Sequence, residues 1–139
     1  MRVFVYYVGK ARDEHSNAIA AEFLKRTSRW AKCEMREVHP GRFDFWEKHP
    51  AAAIVMLDPG GKQWNSARFV EQVRTWEDEG RDAVFVLGGA DGLPPEWRTR
   101  AGLVLSLSAM TFPHELARAI LAEQIYRAFA TLRNHPYPR

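Results

Sequence analysis

Apolar residues fall along this chain in two alternating patterns: short unbroken runs, and longer stretches in which they recur every three or four positions. The run RVFVYYV at positions 2–8 is β-branched or aromatic and stops at Gly9, which predicts a buried first strand. In EHSNAIAAEFLKRTSRW, residues Ile19, Ala20, Phe23, Leu24 and Trp30 share roughly one helical face, with Lys25, Arg26 and Arg29 elsewhere. A helix is expected there. KCEMREV then alternates Cys33 and Met35 with charged residues, the pattern of an edge or half-buried strand.

The stretch HPGRFDFWEKHPA, rich in Pro, Gly and aromatics, predicts a loop or a short irregular helical turn. AAAIVMLD is continuously apolar up to Asp58 and Pro59, as a central parallel strand would be. Ser66 is the expected N-cap of a following helix in which Phe69, Val70, Val73 and Trp76 form an apolar stripe. DAVFVLGG reads as the fourth strand, PPEWRTRAG as a short helix opened by proline, and LVLSLS as the fifth strand. A last helix spans residues 113–132, and its apolar positions exceed the single stripe that packing on one sheet face needs. Part of that surplus is expected to be a subunit interface.

Strands alternating with helices imply one α/β domain over residues 1–139, with a mostly parallel sheet and helices on both faces. In such sheets ligands sit beyond the carboxyl ends of the strands. Three of those ends are unusual here: Leu57 to Gly61, Gly88-Gly89, and SLSAMTFPH.

Composition narrows the chemistry more than it names it. The chain has 139 residues, a net charge of +3 and a pI near 9.2, which suits a polyanionic partner without requiring one. Its one cysteine rules out an internal disulfide framework, and its five histidines show neither H-E-x-x-H nor metal-ligand spacing, so no metal is expected. No run of about 18 apolar residues and no signal-peptide pattern occurs, so no membrane association and a cytoplasmic location are expected. Neither the dinucleotide fingerprint nor the phosphate loop is present.

Three features admit two readings each from their residues alone. Gly88 and Gly89 serve either a tight turn or the close approach of a ligand to the backbone. Ser108 and Thr111 either cap the last helix or belong to a ligand-binding loop of small residues, with His114 a first-turn surface or capping residue. The terminal RNHPYPR offers arginine for phosphate and tyrosine for base stacking, or is a frayed end.

Taken together and in this order, VGK, LDPGGKQWNS, VFVLGGADGL, LSLSAMTFPHELARAILAEQIYRA and NHPYPR resemble the small SPOUT-class methyltransferases of the ribosomal RNA large subunit methyltransferase H family. The resemblance covers essentially the whole chain. It implies a C-terminal trefoil knot, which the general rule against knots would not have suggested. It also implies an obligate homodimer, S-adenosylmethionine as cofactor, and methylation of N3 of a pseudouridine in bacterial large-subunit (23S) ribosomal RNA within the assembled ribosome. Carried over residue by residue, the cofactor site is Leu57, Gly88, Gly89, Leu107, Ser108, Ala109, Met110, Thr111 and Phe112. On that basis a Cβ at either glycine would collide with the adenosine. His135, Tyr137 and Arg139 are the implied catalytic residues, positioning substrate across the dimer interface at the partner's cofactor.

The chain departs from the family pattern twice. Pro138 stands where members usually carry histidine after the tail tyrosine, and residues 39–50 are shorter than usual. The first departure motivates an alternative: a non-catalytic RNA-binding or ribosome-binding protein that keeps the knotted fold.

Overall fold

Five strands form one sheet in the order β2-β1-β4-β3-β5, with every neighbouring pair parallel, in the computed structural model, which describes residues 1–138. In chain order the elements are β1 (Arg2–Val8), α1 (Glu14–Thr27), β2 (Lys32–Val38), α2 (Phe45–Lys48), β3 (Ala53–Gln63) and α3 (Ser66–Asp78). They continue with β4 (Ala83–Leu87), α4 (Pro95–Arg100), β5 (Leu103–Ser106) and α5 (His114–Leu132). The expectation of an α/β domain with a mostly parallel sheet is met, and every strand pair is in fact parallel.

The unbroken apolar runs are strands covered on both faces. Val3, Val5, Val55 and Phe85 point into a core shared with Leu24 of α1, Val73 and Trp76 of α3, and Leu121, Ile125 and Phe129 of α5. Their neighbours Phe4, Tyr6, Met56 and Val86 point the other way, onto Phe45 of α2 and Trp97 of α4. Period-two alternation thus feeds two cores, and only the edge strand β2 keeps an exposed row. On the second face the buried Tyr6 hydroxyl lies 2.8 Å from Nε2 of the buried His49.

The structure corrects four local expectations. Asn65, not Ser66, caps α3: its Oδ1 accepts from the Arg68 amide at 2.8 Å, while Ser66 begins the helix and its hydroxyl donates to Gln124. β3 does not end at Asp58; residues 58–61 bulge out of the β3–β5 ladder, which resumes where Lys62 pairs Leu105. The bulge lies so close to β5 that a Cβ on Gly61 would stand 2.6 Å from the Val104 carbonyl oxygen. Ile19, expected on the buried face of α1, is 46% exposed, and Trp30 lies past the helix end.

Candidate functional site

The three unusual strand ends meet at one cavity. It has a volume of about 590 Å³, within the range of small-molecule sites, and opens at the carboxyl ends of β3, β4 and β5. Leu57, Asp58 and Pro59 form one wall, the turn from Leu87 to Leu93 a second, and the loop 107–113 a third. His114 and Ala117 of α5 and Pro95 and Arg98 of α4 complete the lining. Of the nine residues expected to hold a cofactor, eight line this cavity and Ala109, which is exposed, does not.

What comes close to the glycines is the protein itself. A Cβ on Gly88 would lie 2.6 Å from the carbonyl carbon of Gly92, and one on Gly89 would lie 2.9 Å from the Val8 carbonyl oxygen. Gly92 has a positive φ of 75° and donates its amide to the Gly89 carbonyl at 3.1 Å, which closes a four-residue turn on itself. The protein's own backbone is therefore enough to forbid side chains here, whatever occupies the cavity. Both glycines still present backbone to the cavity.

The loop 107–113 has its own frame. The Ser106 hydroxyl donates to the Ser108 carbonyl at 2.8 Å, and the Ser108 hydroxyl accepts from the Met110 amide at 3.0 Å. Ser108 thus shapes the loop rather than capping α5, whose N-terminus at Pro113 has no side-chain cap. The capping reading fails for Ser108. Met110 is left 74% exposed at the rim.

Sequence reasoning missed Asp58 and Arg98 as a pair across the mouth, where the Arg98 guanidinium donates to the Asp58 carboxylate at 2.6 Å. Forty positions separate them, and Arg98 reads locally as one more exposed helical cation.

The tail is docked rather than frayed. Asn134 adopts a left-handed conformation (φ 55°), and the His135 amide donates to the Ala130 carbonyl at 2.8 Å, which turns the chain back along α5. Tyr137 packs edge-on to Tyr126, and its hydroxyl donates to Glu123 at 2.6 Å, while Arg127 holds the same carboxylate at 2.7 Å. Burial first, then this bond to a carboxylate, pushes the Tyr137 phenol above its ordinary pKa. In this arrangement the neutral phenol donates to Glu123. His135 sits edge-on to Trp30. Neither His135 nor Tyr137 lines the cavity of its own chain, and Arg139 lies outside the described residues. Among the described residues no group of three or more His, Cys, Asp or Glu could hold a metal ion, and no helix is long and apolar enough to cross a membrane.

Comparison with known proteins adds three findings. A family model described as a predicted SPOUT methyltransferase matches residues 1–138. A Solibacter usitatus protein named ribosomal RNA large subunit methyltransferase H is 60% identical over 139 residues, spanning all of both chains. A protein of the same name from Chromobacterium violaceum is 37% identical over 155 aligned positions, covering 100% of this chain and 99% of the relative.

Solved structures share the fold at much lower identity. A probable methyltransferase from Bordetella pertussis superposes with a TM-score of 0.63 at 14% identity, covering 91% of this chain and 95% of the other. A putative methyltransferase from Legionella pneumophila, solved with bound cofactor SAM, gives 0.59 at 14% identity, covering 92% and 66%.

Proposed function

The chain belongs to the SPOUT methyltransferase family and, within it, to the ribosomal RNA large subunit methyltransferase H proteins, and from that premise we propose that it methylates large-subunit ribosomal RNA using S-adenosylmethionine. The acceptor in this reading is N3 of a pseudouridine. The observation that carries the proposal is the cavity at the carboxyl ends of β3, β4 and β5, lined by eight of the nine residues that the family resemblance assigns to the cofactor.

The lining fits such a cofactor. Leu57, Leu87, Leu93, Leu107 and Phe112 offer apolar surface to a nucleoside, and the backbone of the 88–92 turn and of the 107–113 loop offers amides and carbonyls with few side chains in the way. When bound, S-adenosylmethionine supplies an electrophilic methyl group on a sulfonium. What the protein must add is chiefly position, because a nucleophile held in line with that carbon needs little else. The acceptor N3 carries a proton that must be lost or strongly polarised before or during attack.

The tail is the part of the chain left to handle the acceptor. His135 and Tyr137 stand outside their own cavity, so their service in catalysis requires a second chain whose cavity they complete. An obligate homodimer, as the family resemblance implies, would supply that second chain. The trefoil knot belongs to the same family-based reading, as does a cytoplasmic location, where ribosomes are. In this reading the folded ribosome's shape supplies much of the recognition. The non-catalytic alternative draws no support from relatives that carry the enzyme's name over their whole length.

The test is incorporation of labelled methyl from S-adenosylmethionine into assembled ribosomes lacking the modification, followed by nuclease mapping. Label on a pseudouridine of the large-subunit RNA is expected. Cofactor binding without any incorporation would contradict the proposal.

A further inference from the structure

The one fully buried charge among the described residues lies beside the cavity without lining it. Arg118 of α5 has no solvent exposure. Its guanidinium carbon sits 3.8 Å from the centre of the Tyr7 ring at the end of β1, and its Nη1 reaches Asn17 Oδ1 of α1 at 3.2 Å and Glu115 Oε1 at 3.5 Å. Its Nε and Nη2 make no hydrogen bond among the described residues. This is a costly way to join helices, since α1 and α5 already share an apolar core through Ala20, Leu24, Ala119 and Ala122.

Glu115 shows what the cost secures. A single oxygen, Oε1, accepts from the backbone amides of Arg12 at 2.6 Å and Asp13 at 3.0 Å, and from the Asn17 side chain at 2.9 Å. Those amide bonds, Arg12 first, with help from Asn17 and the Arg118 charge, hold the Glu115 carboxyl down at about 2, so it is ionised throughout the working range. Glu115 is the second residue of α5, next to His114 of the cavity lining and just past the loop that forms one wall. Arg12 and Asp13 follow Val8 and Gly9, which lie against Gly89 in another wall.

We propose that Glu115 and Arg118 are positioning residues that clasp the loop after β1 to the start of α5, and so fix two walls of the cofactor cavity at their working separation. Arg118 orients the Glu115 carboxylate from the buried side, Asn17 braces both, and neither charged group touches the cofactor. The proposal rests on the reading of this cavity as the S-adenosylmethionine site.

The test measures S-adenosylmethionine affinity by calorimetry, methyl transfer at saturating cofactor, and thermal stability, for the wild-type chain and for Glu115→Ala, Glu115→Gln and Arg118→Met. Glu115→Ala and Arg118→Met are expected to weaken cofactor binding about tenfold, with a much smaller change in kcat. Glu115→Gln keeps an oxygen that accepts from Arg12 and Asp13, and is expected within about threefold of wild type. Arg118→Met removes the unmet donors along with the charge, so its Tm is expected to hold or rise while affinity falls. A purely structural role would not produce that split.

Amide exchange gives a second readout that does not depend on Arg118→Met folding. Cofactor is expected to slow exchange at Arg12 and Asp13 in the wild type and not in Glu115→Ala. Equal affinity of all four proteins would overturn the clasp alone. No binding by the wild-type chain would overturn the assignment of the cavity, and the clasp's role with it.

Discussion

Tyr137 is anchored through both its hydroxyl and its ring. It donates to Glu123, and its ring rests on Tyr126 and Phe23, so Tyr137→Phe would remove the hydrogen bond and leave the packing. Cofactor affinity is expected to stay unchanged in that variant, while methyl transfer falls by about tenfold or more. Transfer at the wild-type rate would show that the hydroxyl only anchors the tail. The neighbouring Pro138 does not displace the tyrosine, which is held by Glu123 from α5 and needs nothing from the residue after it. At this scale the sequence marked positions that gather at one cavity, and the structure adds a reason for the glycines that the sequence did not carry. Gly88 and Gly89 stand in the cavity wall, but only folding reveals that Gly92 and Val8 are what press on them. No local pattern announces a contact with a strand eighty positions away.

Elements were legible wherever burial on one or two faces wrote a period into the chain. All five strands and the longer helices lie where the apolar runs place them, because a strand covered on both sides needs apolar residues at every position. The failures occur where geometry breaks the period. The bulge at residues 58–61 looks like a strand end because its Asp, Pro and Gly residues are those of a turn, although the ladder resumes beyond it. Adjacent Asn65 and Ser66 are both good caps, and the choice falls to Asn65 while Ser66 bonds to Gln124.

The second sheet face carries a prediction of its own, through the Tyr6–His49 pair that ties β1 to the turn after α2. Burial first, then the neighbouring Lys48 charge, holds His49 below its ordinary pKa of 6.5. The unfolded chain therefore takes up a proton near pH 6.5 that the folded chain refuses until lower pH. The stability from this group is complete above about pH 6.5 and is lost as pH falls through the folded value. Urea unfolding is expected to show lower stability at pH 5.5 than at pH 7.5, and His49→Gln to flatten that dependence. A wild-type midpoint that does not move across this range would contradict the account.

For the whole molecule the question is why a chain of 139 residues keeps its tail away from its own cavity. The start of α5 lines the cavity and the tail folds back near Glu123, roughly 13 Å farther along the helix at 1.5 Å per residue. No periodicity could show this, because the path of the tail is set by its contacts with α5 and not by a repeat within it. Much of the apolar surplus on α5 is buried within the chain itself, at Leu121, Ala122, Ile125 and Phe129, while Leu116 is left exposed.

The most direct test mixes two inactive variants. Ala117→Trp would fill the cavity from its lining position on α5, and a chain lacking residues 134–139 would keep its cavity and lose its tail. Each alone is expected to leave ribosomes unmethylated. Co-folded together, they should regain part of the wild-type methyl transfer, because mixed dimers pair one intact cavity with one intact tail. Mixed dimers that form and remain inactive would contradict the shared site, as would full activity in the truncated chain alone.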